Sequence, residues 1–202
     1  MNEHKEFESL IRNDRDQNQV RAWKGNLLGY LDKVKENPSM TKLAHARIYD
    51  IVMKPGVRDI HETDDPRIKR LYKDENLNVH HFFADEFFGI EKTIAQIVRY
   101  FHAASLKGEE SRQVLYLMGP VGSGKSSLIE KLHRGLEESG PVDVIEDCPM
   151  FEEPLHLIPR HLRREFEKML GVHIEGDLCP VCRYRLKAEF NGRYQEFPVC
   201  AL

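Results

Sequence analysis

The chain has 202 residues, 41% hydrophobic and 31% charged, with a formal net charge of −3. That length suits one ordinary domain, or one domain with a smaller appendage. The charge balance supplies no basic field that would mark nucleic acid or an anionic membrane as a partner. No apolar run approaches the roughly 20 residues that cross a bilayer, and the polar opening "MNEHKEFESL" has no signal-peptide core. Four cysteines without secretory context point to a reducing compartment. The expectation is a cytoplasmic protein.

Residues 1–56 read as a helical N-terminal region. Val20, Trp23, Leu27, Leu31 and Val34 recur at three- and four-residue steps and share one helical face. "NPS" at 37–39 breaks the pattern, with Ser39 as candidate N-cap of a second helix carrying Met40, Ala44, Ile48, Ile51 and Val52. "KPG" at 54–56 ends that helix. Residues 57–82 are charged and poor in apolar side chains, and read as a connector. Its His80–His81 pair is expected to be solvated or partly packed, because adjacent side chains diverge on regular structure.

Residues 83–202 carry the chemistry. Ile90, Ile94, Ile97, Val98, Phe101 and Ala104 lie in helical register, and the apolar run "VLYLM" that follows fits a buried parallel strand. Beyond "GPVGSGKSS", the residues Leu128, Ile129, Leu132 and Leu136 mark a helix that stops at "ESGP". "VDVIED" supplies a second short strand. Strand, loop, helix and strand predict a βαβ unit, hence an α/β fold with a parallel sheet and flanking helices.

The segment between strand and helix matches G-x-x-x-x-G-K-[ST], the P-loop of nucleotide-binding proteins. A polyphosphate brings several negative charges that must be met at close range. Gly119, Gly122 and Gly124 allow the backbone to aim successive N–H groups inward with no Cβ in the way. Pro120, Val121 and Ser123 complete the loop, and the helix behind it presents unpaired donors and a partial positive charge. Lys125 adds a full charge within reach of the β- and γ-phosphates. The Ser126 hydroxyl suits Mg²⁺, with Ser127 beside it. ATP with Mg²⁺ is the expected ligand. Hydrolysis or transfer also calls for an acid at a strand end. Glu146 and Asp147 are the candidates, and ordinary strand-end acids are the other reading.

Three segments carry a wider likeness: "FADEFFGIEKTIAQIVRYFHAA", "LYLMGPVGSGKSSLIEKL" and "CPMFEEPLHLIPRHLRREFEKMLGVHIEGDLCPVCRYRLKAEFNGRYQEFPV". From about residue 5 to residue 199 the chain resembles the N-terminal AAA-type ATPase region of the PrkA serine protein kinase family. The resemblance implies an AAA-like P-loop domain over residues 83–202. It also implies serine/threonine protein-kinase activity on a protein substrate, and a role in bacterial stress or sporulation responses. In AAA-type proteins the loop matching "DEFFGIEKTI" covers the adenine, which makes Phe88, Gly89 and Ile90 candidate base contacts. AAA-like domains often form rings, so a homo-oligomer is a possible assembly. Members of the family are longer, so the chain reads as truncated, a fragment or a short relative. The domain is expected to be incomplete at its C-terminal side. A nucleotide-responsive interaction module, or a bare ATPase without kinase activity, is the alternative.

Cys179-Pro-Val-Cys182 has the spacing of a zinc knuckle. Structural zinc takes four ligands, and Cys200, His173, Cys148 and His161 are the residues that could complete the set. Reduced cysteines in a loop, without metal, are the alternative, and a thioredoxin-like redox role lacks the surrounding pattern. "IPRHLRREFEKML" reads as a basic amphipathic helix with Leu162, Phe166, Met169 and Leu170 on one face. Arg160, Arg163 and Arg164 are expected on a solvated face rather than on an acidic substrate or nucleic acid.

Overall fold

A computed structural model describes residues 5–13 and 23–202 of the chain. Residues 5–13 are helical. The ordered elements then run β1 (Lys24–Asn26), α1 (Leu27–Glu36), α2 (Ala44–Met53), β2 (Val57–Asp59), α3 (Pro66–Leu71), β3 (Asn78–His80) and α4 (His81–Ala84). They continue through α5 (Glu91–Ser105), α6 (Lys125–Glu138), β4 (Asp143–Ile145), α7 (Arg163–Leu170), α8 (Pro180–Ala188) and β5 (Pro198–Ala201). No described helix is long and apolar enough to cross a membrane.

The chain divides into two compact units. One holds the described residues up to Thr41 together with Gly140–Leu202, and the other holds Lys42–Ser139. The stretch read as one helical N-terminal region is thus shared between two units, and its two helices serve different cores.

In the first unit, Asn26 caps α1 by accepting the Gly29 N–H at 3.0 Å. Leu27, Tyr30, Leu31 and Val34 then face the core with Ile145, Leu155, Ile158 and Phe197. Trp23 packs on this core from outside the helix, just before β1, and Val20 lies outside the described residues. The three strands form an antiparallel sheet in the order β1-β5-β4, with Lys24 opposite Cys200 and Asp143 opposite Ala201. Asp143 is buried, and Lys33 donates to both its oxygens at 2.8 Å. A charge withdrawn from water in this way needs such a partner.

In the second unit, Val52 of α2, Ile94, Ile97, Val98 and Phe101 of α5, and Leu128 and Leu132 of α6 form the core with Phe83. The α5 stripe falls where the periodicity places it, and on α6 Leu128 and Leu132 are buried while Ile129 is exposed. Gly56 has φ +101° just beyond α2, and Gly140 has φ +104° just beyond α6, so both predicted terminators act as such. Strands β2 and β3 form a separate antiparallel pair. His80 is buried on β3, and burial pushes its pKa down.

Several expectations need correction. The βαβ unit with a parallel sheet does not form among the described residues: every pairing is antiparallel, and β4 takes β5 as its neighbour. The run 114–118 has no strand partner there. It is instead one-sided, with Leu115 and Leu117 packed on the core while Val114, Tyr116 and Met118 face outward. A strand of a parallel sheet is covered on both faces, and this run is covered on one face alone. Ser39 does not cap α2. It sits in a 3₁₀ turn (Pro38–Thr41), its hydroxyl donates to Asn37 Oδ1, and Leu43 precedes the helix. On α7, Met169 is exposed while Leu170 is buried.

Candidate functional site

The P-loop lies in the second unit, at the head of α6. Gly122 and Gly124 have φ +80° and +78°, the left-handed region that glycine enters without strain. Gly124 is the N-cap of α6 and offers no side chain to close the helix. The first helical bond runs from the Leu128 N–H to the Gly124 carbonyl at 2.9 Å. The N–H groups of Lys125, Ser126 and Ser127 precede it and remain directed off the helix end. A Cβ on Gly119 would stand 3.0 Å from Ser123 Oγ and 3.7 Å from Lys125 Nζ, so the missing side chain leaves that side of the hollow clear.

Lys125 turns back over the loop. Its ammonium donates to the Gly119 carbonyl at 2.8 Å, the Pro120 carbonyl at 2.7 Å and Ser123 Oγ at 2.9 Å. The charge is therefore held on the loop's own oxygens. Val121, Ser126 and Ser127 are exposed. Cleared backbone, free donors and one poised ammonium form a fitting cradle for a polyphosphate.

The loop before α5 adjoins this cradle. The Phe87 ring lies against Gly124, 3.7 Å from where a Cβ would stand. Gly89 has φ +78°, and its N–H donates to Glu91 Oε1 at 3.2 Å. Glu91 is buried at the first turn of α5. Burial pushes the neighbouring Tyr72 phenol up to about 12, and the Glu91 carboxylate beside it acts in the same direction. Lys131 of α6 donates to Asp85 at 2.9 and 3.0 Å and to Glu86 at 2.8 Å, and Arg134 donates to Glu86 at 2.9 and 3.0 Å. These hydrogen bonds hold the Asp85 and Glu86 carboxyls below their usual range. They also tie residues 85–86 to the same helix that carries the P-loop.

Phe88 is half-exposed beside Ile90, and Arg67 stacks over its ring at 4.7 Å from the centroid. It lines a cleft of about 480 Å³ with Pro66, Arg67, Arg70 and Leu71. No P-loop residue lines that cleft. The clamp by Lys131 and Arg134 is not legible in the sequence. An Asp-Glu pair ahead of a helix and a Lys on a later helix carry no local signal of contact.

Glu146 and Asp147 fall in the first unit, not in the unit that carries the P-loop. Glu146 accepts Lys24 Nζ at 2.6 Å, and its carbonyl accepts Arg185 Nη1 at 2.7 Å. Asp147 takes φ +57° and leads into a tight turn. Of the three arginines near α7, Arg160 pairs with Asp177 and Arg163 donates to the Ile158 carbonyl at 3.2 Å. Two of the three therefore brace their own unit.

The turn after β4 brings together a second group of side chains, of metal-ligand type. Cys148, Cys179, Cys182 and Glu152 place their ligand atoms all within 4.8 Å of one another. Cys148 and Cys182 are buried, and Cys179 caps α8 by accepting the Cys182 N–H on sulfur at 3.4 Å. Burial pushes the Cys182 thiol up, and its hydrogen bonds with Cys148 and Cys179 act the same way. Of the residues proposed to complete the knuckle, Cys148 joins it, while Cys200, His161 and His173 are not in the group. Cys200 lies on β5, and His173 pairs with Glu167 at 2.7 Å.

The PrkA AAA domain family matches residues 25–202 of the chain. A relative named ATP-dependent protease PrkA, from Bacillus subtilis, is 37% identical over 195 residues, covering 94% of this chain and 29% of that protein. A relative named serine/threonine kinase YeaG, from Escherichia coli K12, is 32% identical over 178 residues, covering 84% of this chain and 27% of that protein. The chain thus spans less than a third of the length of either relative. No solved structure matches it. With the P-loop at the head of α6 and a match from residue 25 onward, the chain belongs to the PrkA AAA domain family.

Proposed function

We propose that the chain binds Mg-ATP through Gly119–Ser127 and presents the γ-phosphate for transfer to a serine or threonine of a protein substrate. One observation carries the binding: Lys125 Nζ is held by the Gly119 and Pro120 carbonyls directly over a glycine loop that opens onto a helix N-terminus. Incoming phosphate oxygens would replace those carbonyls as partners of the ammonium. The N–H groups of 122–127 would take the remaining oxygens. The Ser126 hydroxyl would hold Mg²⁺, which supplies charge neutralisation between the β- and γ-phosphates. Phe88, Gly89 and Ile90 are the candidate base contacts, supported by the packing of their neighbour Phe87 against Gly124.

The two named relatives carry different activities, a kinase and an ATP-dependent protease. The protease is named as ATP-dependent, and a kinase transfers a phosphoryl group. A second reading follows from that divergence: the chain is an ATPase or a nucleotide-responsive module whose cycle drives another activity. With Glu146 bound to Lys24 inside the first unit, Glu146 and Asp147 are read as ordinary strand-end acids, and self-association and a protein substrate are the proposed partnerships. Incubation with γ-labelled ATP and Mg²⁺ separates the readings. Label on protein serine or threonine supports the kinase. Free phosphate alone supports the ATPase, and tight binding without turnover supports the module. Absence of any binding contradicts all three.

A further inference from the structure

We propose that Cys148, Cys179, Cys182 and Glu152 form a structural zinc site inside the first unit, independent of the nucleotide site. A tetrahedral ion with Zn–S bonds of about 2.3 Å sets its sulfurs about 3.8 Å apart, and a carboxylate oxygen at about 2.0–2.1 Å lies about 3.5 Å from each sulfur. Cys148 Sγ stands 4.0 Å from Cys179 Sγ and 3.5 Å from Glu152 Oε2. Both edges match, and the remaining separations stay below 4.8 Å.

The carboxylate supplies a second, independent reason. Glu152 is only 9% exposed, and among the described residues no Lys or Arg lies within ion-pair distance of it. A buried carboxylate facing three thiols is a poor arrangement unless a cation joins them. Its two oxygens are already assigned different tasks. Oε1 accepts the Cys179 N–H at 2.6 Å, which fixes the plane of the group and leaves Oε2 toward the sulfurs. The Cys182 N–H donated to Cys179 Sγ is of the kind that steadies a thiolate ligand. His156 Nδ1, 3.8 Å from Glu152 Oε1, is too far for a hydrogen bond, and it stands beside the carboxylate rather than in the group.

Three thiolates select a borderline-soft ion, and four protein ligands with no open position describe a structural rather than catalytic centre. The ion would join the turn after β4 to the N-terminus of α8, two segments about thirty residues apart in a core with only a three-stranded sheet.

The test uses the full chain, untagged and expressed with zinc in the medium. Plasma emission spectroscopy is expected to find one zinc per chain. Exchange with Co²⁺ is expected to give intense thiolate-to-cobalt charge-transfer bands and the visible spectrum of a tetrahedral ion. Zinc is expected to protect three of the four cysteines from alkylation and to leave Cys200 reactive. Cys200→Ser is expected to retain zinc fully. Glu152→Gln is expected to lose it to a competing chelator at least as readily as the roughly 10–100-fold weakening that outer-shell changes produce. These wild-type readouts stand even where Cys148→Ser or Cys182→Ser fails to fold. A zinc-free protein that takes up Co²⁺ without charge-transfer bands overturns the site. So does identical alkylation with and without zinc. Loss of zinc in Cys200→Ser, or in His156→Ala with retention in Glu152→Gln, overturns the ligand set.

Discussion

Replacing Gly124 by Ala separates the conformational demand of the nucleotide loop from ordinary stability. Gly124 has φ +78°, where a residue with a Cβ is disfavoured by about 1–2 kcal/mol. Sterics add little, since the new methyl would meet its nearest neighbour, a Phe87 ring atom, at 3.7 Å. The loop is exposed over 119–123 and can relax in the free protein, so stability should fall by less than the full strain. Binding of phosphate would restore the strained shape, because only that shape aims the N–H groups inward. The strain then appears in affinity, which should weaken by about 5–30-fold. Calorimetric titration with Mg-ATP measures this directly. Gly140→Ala is the control: φ is +104°, nothing lies within 4 Å of the added Cβ, and the site is past the far end of α6. It should lower stability and leave affinity unchanged. Wild-type affinity in Gly124→Ala, or equal weakening in Gly140→Ala, would show that binding does not depend on the left-handed backbone at Gly124.

Three further changes test the packing. Gly135→Ala gains about 1 kcal/mol of helix propensity, but its methyl would sit 2.9 Å from both Ile51 Cγ2 and Phe82 Cζ. Overpacking costs about 1–3 kcal/mol, so a net loss of up to about 2 kcal/mol is expected in urea, and a clear gain would contradict the α2–α6 approach. Phe197 is fully buried in the first unit, and Phe197→Ala should cost about 3–5 kcal/mol by the same measurement. Lys131→Met removes the donor that depresses the Asp85 and Glu86 carboxyls. A depressed carboxyl contributes its stability above the ordinary carboxylate range and loses it as pH falls through the lowered value. The stability gap between wild type and Lys131→Met should therefore be full at neutral pH and close below about pH 4. A gap that stays constant down to pH 2 would count against the clamp.

Local features were legible in the sequence. The P-loop announced itself because its chemistry depends on adjacent residues, and the stripes of α5 and α6 because a helix repeats every few positions. Gly56 and Gly140 were readable as terminators for the same reason. Long-range pairing was not. "PVCA" at 198–201 has no alternation that marks it as the central strand between β1 and β4. The apolar run 114–118 suggested burial on both faces, yet only Leu115 and Leu117 are covered among the described residues. The CxxC spacing pointed to Cys179 and Cys182, and Cys148 was one of several candidates to join them. Glu152 gave no signal, because its role depends on a turn that carries positive φ at Asp147 and Phe151 and folds Cys148 back toward it.

Titration of Mg-ATP into wild type and Lys125→Ala measures whether residues 119–127 enclose the phosphates of ATP under the Lys125 ammonium. A hydrogen bond to a charged group contributes about 1.5–3 kcal/mol, so the variant should bind at least about tenfold more weakly while keeping its fold. Equal affinity in the two proteins, or no binding to the wild type, would contradict that enclosure.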